Sequence, residues 1–161
     1  MKIGVVSDSH GSIGAIRKAA QMAGKLDLWL HAGDYVQDAV ELENLTGTKV
    51  IKVAGNGDWM CPDIPEDEYI YTAGKKIWLT HGHKYQVKWG VDILREVTAD
   101  NKADIIIYGH SHVYSEKRVN TQLFLNPGSV ALPRDGKYGS FAIIEISENK
   151  NFIELKKYLM T

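Results

Sequence analysis

Cysteine is nearly absent from this chain. Cys61 stands alone, which excludes an intramolecular disulfide and any thiolate cluster for structural zinc or iron–sulfur. A metal held here must be held by nitrogen and oxygen. No apolar run reaches the length needed to span a membrane. The opening Met1-Lys2-Ile3-Gly4-Val5-Val6 is too short for a signal-peptide core before the polar Ser7-Asp8-Ser9-His10 intervenes. A cytoplasmic location with no membrane partner is the expectation. Surplus positive charge is also missing. Nineteen Lys and Arg against 20 Asp and Glu leave a net charge of −1, and the charges are interspersed, so no basic stripe supports a stable nucleic-acid complex. Arginine occurs only at Arg17, Arg95, Arg118 and Arg134, none of them beside the motifs described below.

What remains is ordinary soluble composition, 44% hydrophobic and 24% charged over 161 residues. That is enough chain for one domain with a proper core, spanning residues 1–161. Lys2 to Val6 reads as a strand, followed by a polar turn and a helix over Ala15 to Ala23 that Gly24 closes and Ser12 or a neighbour caps. Asp27 to His31 and Lys49 to Val53 read as further strands, with a helix through Ala39 to Leu45 between them. Strands separated by helices imply right-handed βαβ units and a parallel sheet. Glu68 to Thr72 and Lys75 to Thr80 flank Ala73-Gly74 as a hairpin. Lys88 to Asn101 has helical spacing, and Ala103 to Tyr108 is a buried-type strand. From Val113 the pattern is all-β: Tyr114 to Val119, Gln122 to Leu125, Ser140 to Ile146 and Asn151 to Leu159, the last pair joined by Glu148-Asn149-Lys150. The expected class is α/β, an α/β first half and a β-rich second half sharing one core. The second half leaves room for a homo-oligomer, with no interface to name.

Five apolar strands each run into a small residue or tight turn and then a side chain able to bind metal: Asp8/His10, Asp34, Asn56, His81 and His110/His112. At any one of these places a turn former or helix cap is the better reading. Five together are not easily a coincidence, and strand C-termini of a parallel sheet share one edge, so the side chains can converge. The set offers two carboxylates, several imidazoles and an amide, which suits two divalent ions. Two such ions, two Asp carboxylates and a hydroxide leave roughly +1 of charge, an attraction for an anionic substrate that the rest of the surface lacks.

Asp8-Ser9-His10, Gly33-Asp34, Gly55-Asn56-Gly57-Asp58, His81-Gly82-His83 and Gly109-His110-Ser111-His112, in this order and spacing, resemble the calcineurin-like metallophosphoesterases. The compact length, Asn126-Pro127-Gly128-Ser129 and Pro133-Arg134 look most like the small YfcE/MJ0936-like phosphodiesterase branch. The resemblance implies a β-sandwich of two mixed sheets flanked by helices, in a single domain. It implies that Asp8, His10, Asp34 and His112 hold one ion and Asp34, Asn56, His81 and His110 a second, with Asp34 the bridge. It further implies hydrolysis of a small-molecule phosphodiester by in-line attack of a hydroxide between the ions. Manganese is the first choice of metal, with Fe, Ni, Co and Zn as alternatives.

One departure matters. Most of that superfamily has a histidine directly after the metal-binding asparagine, and here the position is Gly57. The small branch commonly lacks it as well, which leaves the leaving-group acid to a metal-bound water or to His83. Asp58 is a candidate to orient a loop or a water, or simply a turn carboxylate. Arg134 is a candidate substrate contact if its loop folds over the metals, and otherwise a surface charge. The scarcity of arginine favours diesters over monoesters, since dianionic phosphates usually want a bidentate guanidinium. His31 fits either a hydrogen-bond partner of a ligand or a structural histidine. Trp59, Trp89 and Tyr85 fit either cleft walls that stack a base or aryl group, or else core or subunit interface, and Cys61 either a thiol near the site or a small core residue. The competing readings are a phosphomonoesterase or nucleotide hydrolase, and a non-catalytic scaffold like the retromer subunit that resembles this family.

Overall fold

The computed structural model describes residues 1–147, 149 and 152–161. In chain order its elements are β1 (Lys2–Val6), α1 (Ile13–Ala23), β2 (Leu28–His31), α2 (Val36–Thr46), β3 (Val50–Lys52), β4 (Asp67–Thr72), β5 (Lys75–Thr80), α3 (Asp92–Asn101), β6 (Ile105–Ile107), β7 (Tyr114–Val119), β8 (Gln122–Pro127), β9 (Ser140–Ser147) and β10 (Phe152–Leu159). One sheet has the order β10-β9-β1-β2-β3 and the other β4-β5-β6-β8-β7. β1, β2 and β3 are parallel, and β9 joins β1 antiparallel. In the second sheet β5, β6 and β8 are parallel, with β4 and β7 antiparallel at the edges. Both sheets are mixed, and three helices flank them.

The two halves expected from the sequence are therefore not two layers. β6 to β8 complete the sheet that β4 and β5 begin, while β9 returns to pair along β1. Periodicity identifies strands but carries no signal of which distant strand they will pair with.

Period-two alternation splits each central strand between two cores. Ile105 and Ile107 point between the sheets, among Ile3, Val5, Leu28, Leu30, Leu79 and Ile144. Ile106 points the other way, with Trp78 and Phe124, against Leu94 of α3. On the first sheet's outer face Val6, Trp29 and Phe141 meet Ile16 and Ala19 of α1 and Ala39 and Leu42 of α2. Each fully buried side chain of this size contributes about 1.5–3 kcal/mol, so the layers α/β/β/α follow from apolar residues on both faces of every inner strand.

Local signals explain the boundaries. Ser12 caps α1, its Oγ accepting from Ala15 N, and Gly24 ends it at φ 67°. Ala73 and Gly74 both take positive φ, 49° and 72°, the conformation a two-residue hairpin requires. α2 starts three residues earlier than its composition suggests because its cap comes from elsewhere in the chain. α3 starts later, at Asp92, after a short 3₁₀ turn over His83–Tyr85 and Gly90 at φ 137°. Glu148, Lys150 and Asn151, at the expected final turn and strand start, lie outside the described residues; β10 is described from Phe152.

Candidate metal centre

The parallel strands of the two sheets end on a common side, and there the chain turns sharply. Asp8, His10, Asp34, His110 and His112 all have φ between 48° and 66°, and Tyr35 is at 72°. The left-handed region costs an ordinary residue about 1–2 kcal/mol. Such strain persists only where the surroundings impose it, and it gathers at functional sites. The glycines preceding the donors make the turns fit. A Cβ on Gly55 would lie 2.1 Å from Asp34 Oδ1, and one on Gly109 would lie 2.0 Å from Ser7 Oγ and 2.7 Å from Asp8 Oδ2.

Each carboxylate is tied down by one oxygen and free at the other. Asp8 Oδ2 accepts from Ser7 Oγ at 2.6 Å and from His110 N at 3.0 Å. Asp8 Oδ1 is buried with no hydrogen-bond partner among the described residues. It faces His112 Nε2 at 3.3 Å, His81 Nε2 at 3.9 Å and His10 Nε2 at 4.0 Å. Asp34 Oδ1 accepts from Gly57 N at 2.8 Å and stands 3.4 Å from His81 Nε2, while its Oδ2 lies 3.8 Å from His10 Nε2.

The histidines follow the same plan. His81 Nδ1 donates to Ala32 O at 2.7 Å, and His112 Nδ1 to Leu132 O at 2.7 Å. Each bond fixes the tautomer and leaves Nε2 as a lone pair. His81 Nε2 then confronts Asn56 Oδ1 at 3.2 Å, two acceptors with no proton between them. His10 Nε2 and His112 Nε2 stand 3.1 Å apart, within the ~3.0–3.4 Å that separates two adjacent nitrogens binding one ion at about 2.1 Å in octahedral or tetrahedral geometry. Asp8, His10 and His112 form one group of donors within 4.8 Å of one another, and Asp8, Asp34 and His81 a second. An orphaned carboxylate oxygen, facing lone pairs and a purely N/O donor set all fit divalent cations.

His110 stands apart from those groups. Its backbone N–H serves Asp8, and its ring packs edge-on to His81 with centroids 5.1 Å apart. Burial, the His81 ring and Lys88 push its pKa down to about 4, so it is a neutral imidazole. Burial works against ionisation of Asp8, but the approach of His112 and the proximity of His81 outweigh it and hold the carboxyl below its usual range. His112 moves the opposite way, raised by Asp8 against the effect of burial.

The other candidates separate clearly. Asp58 spends its whole carboxylate on the backbone: Oδ1 accepts from Tyr35 N at 2.8 Å and Val36 N at 2.9 Å, and Oδ2 from Gly55 N at 2.8 Å. It is the missing cap of α2, reaching across from the Asn56 loop. His83 lies beside the centre, 5.4 Å from the His81 ring, with Nε2 3.5 Å from Glu66 Oε1. Burial lowers its pKa, and its Nδ1 is buried without a partner among the described residues. Glu66 is also paired with Lys84. Arg134 is exposed, but its backbone N–H donates to His112 O at 2.9 Å and its charge acts on His112. The segment after β8 folds back along His112, and this brings Arg134, far from the other motifs in sequence, to the border of the site.

His31 is fully buried. Its Nδ1 accepts from Gly33 N and its Nε2 meets Ser9 Oγ at 3.0 Å, so it braces the turns and touches no ligand carboxylate. Tyr85 packs edge-on to Trp78 and bonds Asp67, whereas Trp59 and Trp89 are 79% and 89% exposed. Trp59 and Cys61 line a cleft of about 420 Å³ with Gly55 and Asp58. Composition gave no sign of Ser7, Asn126 or Ser129 as supports. Asn126 Nδ2 donates to Gly109 O at 2.8 Å, and Ser129 Oγ donates to Asp8 O at 2.7 Å.

A mixed β-sandwich with histidines and aspartates gathered at its strand ends defines a metallophosphoesterase fold. Residues 1–149 match the calcineurin-like phosphoesterase superfamily domain, and the chain belongs to that superfamily. It is 32% identical over 151 residues to the probable metallophosphoesterase YsnB of Bacillus subtilis, covering 92% of this chain and 86% of that one. It is 33% identical over 146 residues to the phosphodiesterase MJ0936 of Methanocaldococcus jannaschii, covering 80% and 83%. Among solved structures it resembles a predicted phosphoesterase from Streptococcus pneumoniae TIGR4, with a TM-score of 0.77, 27% identity and coverage of 98% and 97%. Membership makes the chain a metal-dependent phosphoesterase, a hydrolase. Among the described residues no helix is long and apolar enough to cross a membrane.

Proposed function

We propose that this chain is a binuclear-metal-dependent phosphodiesterase acting on small or nucleotide-like phosphodiesters. The observation that carries the reading is Asp8 Oδ1, buried without a hydrogen bond among the described residues and surrounded by three imidazole Nε2 atoms. In this reading Asp8, His10, Asp34 and His112 hold one ion and Asp34, Asn56, His81 and His110 the second, with manganese the expected metal. Support for two positions comes from the two donor groups and from Asp34, whose oxygens lie toward His81 and His10. Divalent ions bound there would activate water and offset charge on the phosphoryl oxygens.

The chain's own residues supply the rest. The fixed Nδ1 protons of His81 and His112 keep both rings oriented without loss of freedom at the moment of reaction. Arg134, whose backbone borders His112, is the residue assigned to meet a phosphoryl oxygen at the rim. As water oxygen bonds to phosphorus and the ester P–O bond breaks in line, the departing oxygen needs a proton. Gly57 cannot give one; His83, next to His81 and His110, is the side chain assigned to deliver it from Nε2. A single bordering arginine matches the monoanion of a diester better than a dianionic monoester.

The test is a chelated protein reloaded with Mn, Fe, Ni, Co or Zn and assayed on bis(4-nitrophenyl) phosphate and 4-nitrophenyl phosphate. The diester should be preferred, and Asp34→Asn should lose turnover while keeping its Tm. Preference for the monoester would make it a phosphomonoesterase. Bound metal without turnover of either ester would favour a scaffold.

A further inference from the structure

We propose that Tyr35 is a specificity-determining residue, an aromatic platform on which the planar part of a nucleotide-like or aryl phosphodiester stacks beside the metal centre. The inference rests on the phosphodiesterase reading and names the substrate class for it.

Tyr35 directly follows Asp34 and occupies the left-handed region at φ 72°, ψ 66° as N-cap of α2. A bulky side chain there is an outlier, and the position favours Gly, Asn, Asp or Ser on helix-capping grounds. Its side chain gives α2 no cap hydrogen bond, that work being done by Asp58 on the Tyr35 and Val36 amides. Nor does the core gain from the ring, because Tyr35 is 46% exposed. Its hydroxyl has no hydrogen-bond partner among the described residues. The local fold thus holds an aromatic ring in a strained conformation from which the apolar cores, the helix cap and hydrogen bonding draw nothing.

What the conformation achieves is placement. The ring centroid lies 5.8 Å from that of His10, tilted by 59°. It also rests over Gly11, where a Cβ would come within 3.2 Å of Tyr35 Cε1. Gly11 is held in turn by Asp38 of α2, through a 2.8 Å bond from its amide to Oδ2. Both ends of the ring's support are therefore fixed, and the ring stands at the rim next to a donor of the first group. An ester substituent on a phosphoryl group bound beside His10 reaches it. A half-exposed phenol ring with an idle hydroxyl recognises flat, polarisable groups through stacking, with little preference among them.

Calorimetric binding of AMP and of ribose 5-phosphate to the metal-loaded protein tests this, since the two share phosphate and sugar and differ by the base. The wild type should bind AMP about tenfold more tightly. Tyr35→Phe should keep that ratio and Tyr35→Gly should bring it near one, while the Tm of Tyr35→Gly stays level or rises as the backbone strain is relieved. Equal affinities in the wild type, or an unchanged ratio in Tyr35→Gly, would overturn the proposal. A parallel loss of both ligands with weakened metal binding would overturn it too, assigning Tyr35 to positioning His10. None of these readings requires turnover, so the phosphodiesterase assignment can fail on its assay without deciding this one.

Discussion

Asp58→Ala removes one carboxylate and strands three backbone amides. Two of the lost bonds, to Val36 N and Gly55 N, are buried, and the third, to Tyr35 N, is partly open to water. A buried donor left unpaired costs about 1–3 kcal/mol. Taking the two buried amides at mid-range and letting solvent recover the third gives a loss of about 4 kcal/mol. For a domain of this length that is a fall in Tm of about 8–16 °C. Asp58→Asn should fall between, because its amide presents one oxygen and so satisfies one side of the brace. Thermal unfolding in the presence of chelator isolates the effect from metal binding. Turnover, compared at a temperature where all variants are folded and loaded with metal, should fall less than stability would suggest. The reasoning is refuted if Asp58→Asn keeps the wild-type Tm and loses turnover entirely, since that pattern belongs to a carboxylate that moves a proton.

His31 provides a pH test. Burial drives its pKa down to about 4, and protonation at Nδ1 would also break the bond from Gly33 N. The folded state therefore binds its proton later than the unfolded chain, at an ordinary value near 6.5. Its stabilising contribution is complete above that value and lost as pH falls toward 4, about 3 kcal/mol in all. Chelated His31→Gln should be less stable at pH 7 yet decline less steeply between pH 6.5 and 4; parallel slopes would exclude the assignment. Gly109→Ala should cost about 1–3 kcal/mol by overpacking, because its Cβ meets Ser7 Oγ and Asp8 Oδ2. Ser7→Ala in the same chain should recover part of that loss in a denaturant titration, and strictly additive losses would contradict the clash.

The sequence makes the donors legible and hides their anchors. Asp8, Asp34, Asn56, His81 and the 110/112 pair can be picked out because each follows an apolar strand and a small residue, a pattern local enough to read directly. The glycines were legible as turn formers, but not as space for a neighbouring carboxylate, since Gly55 makes room for Asp34 and Gly109 for Asp8 across 21 and 101 residues of chain. α2 could not be placed at its true start because its cap is Asp58, contributed from beyond β3. Arg134 can be offered from sequence only conditionally for the same reason: 22 residues separate it from His112, and the pairing of β7 with β8 is what returns the chain to that histidine. The order of strands within the sheets was hidden for a related reason, since β1 pairs with β9 nearly the whole chain away.

The anchors share a chemistry that explains why a single sequence conceals them. Asp8 Oδ2 binds the His110 amide, Asp34 Oδ1 the Gly57 amide, His81 Nδ1 the Ala32 carbonyl and His112 Nδ1 the Leu132 carbonyl. In each case a donor side chain spends one atom on the backbone and leaves the other facing the centre. Every residue type carries those backbone groups, so nothing in the identity of Ala32 or Leu132 marks it as a partner. The strain of five left-handed donors has the same origin. The backbone must turn sharply at each strand end to aim the side chain inward, and at Asp8 and His110 the turn also offers the residue's own amide to a neighbour. A centre built this way gains orientation from the fold before any ion arrives, and substitutions that bend the backbone should weaken it as surely as those that delete a donor.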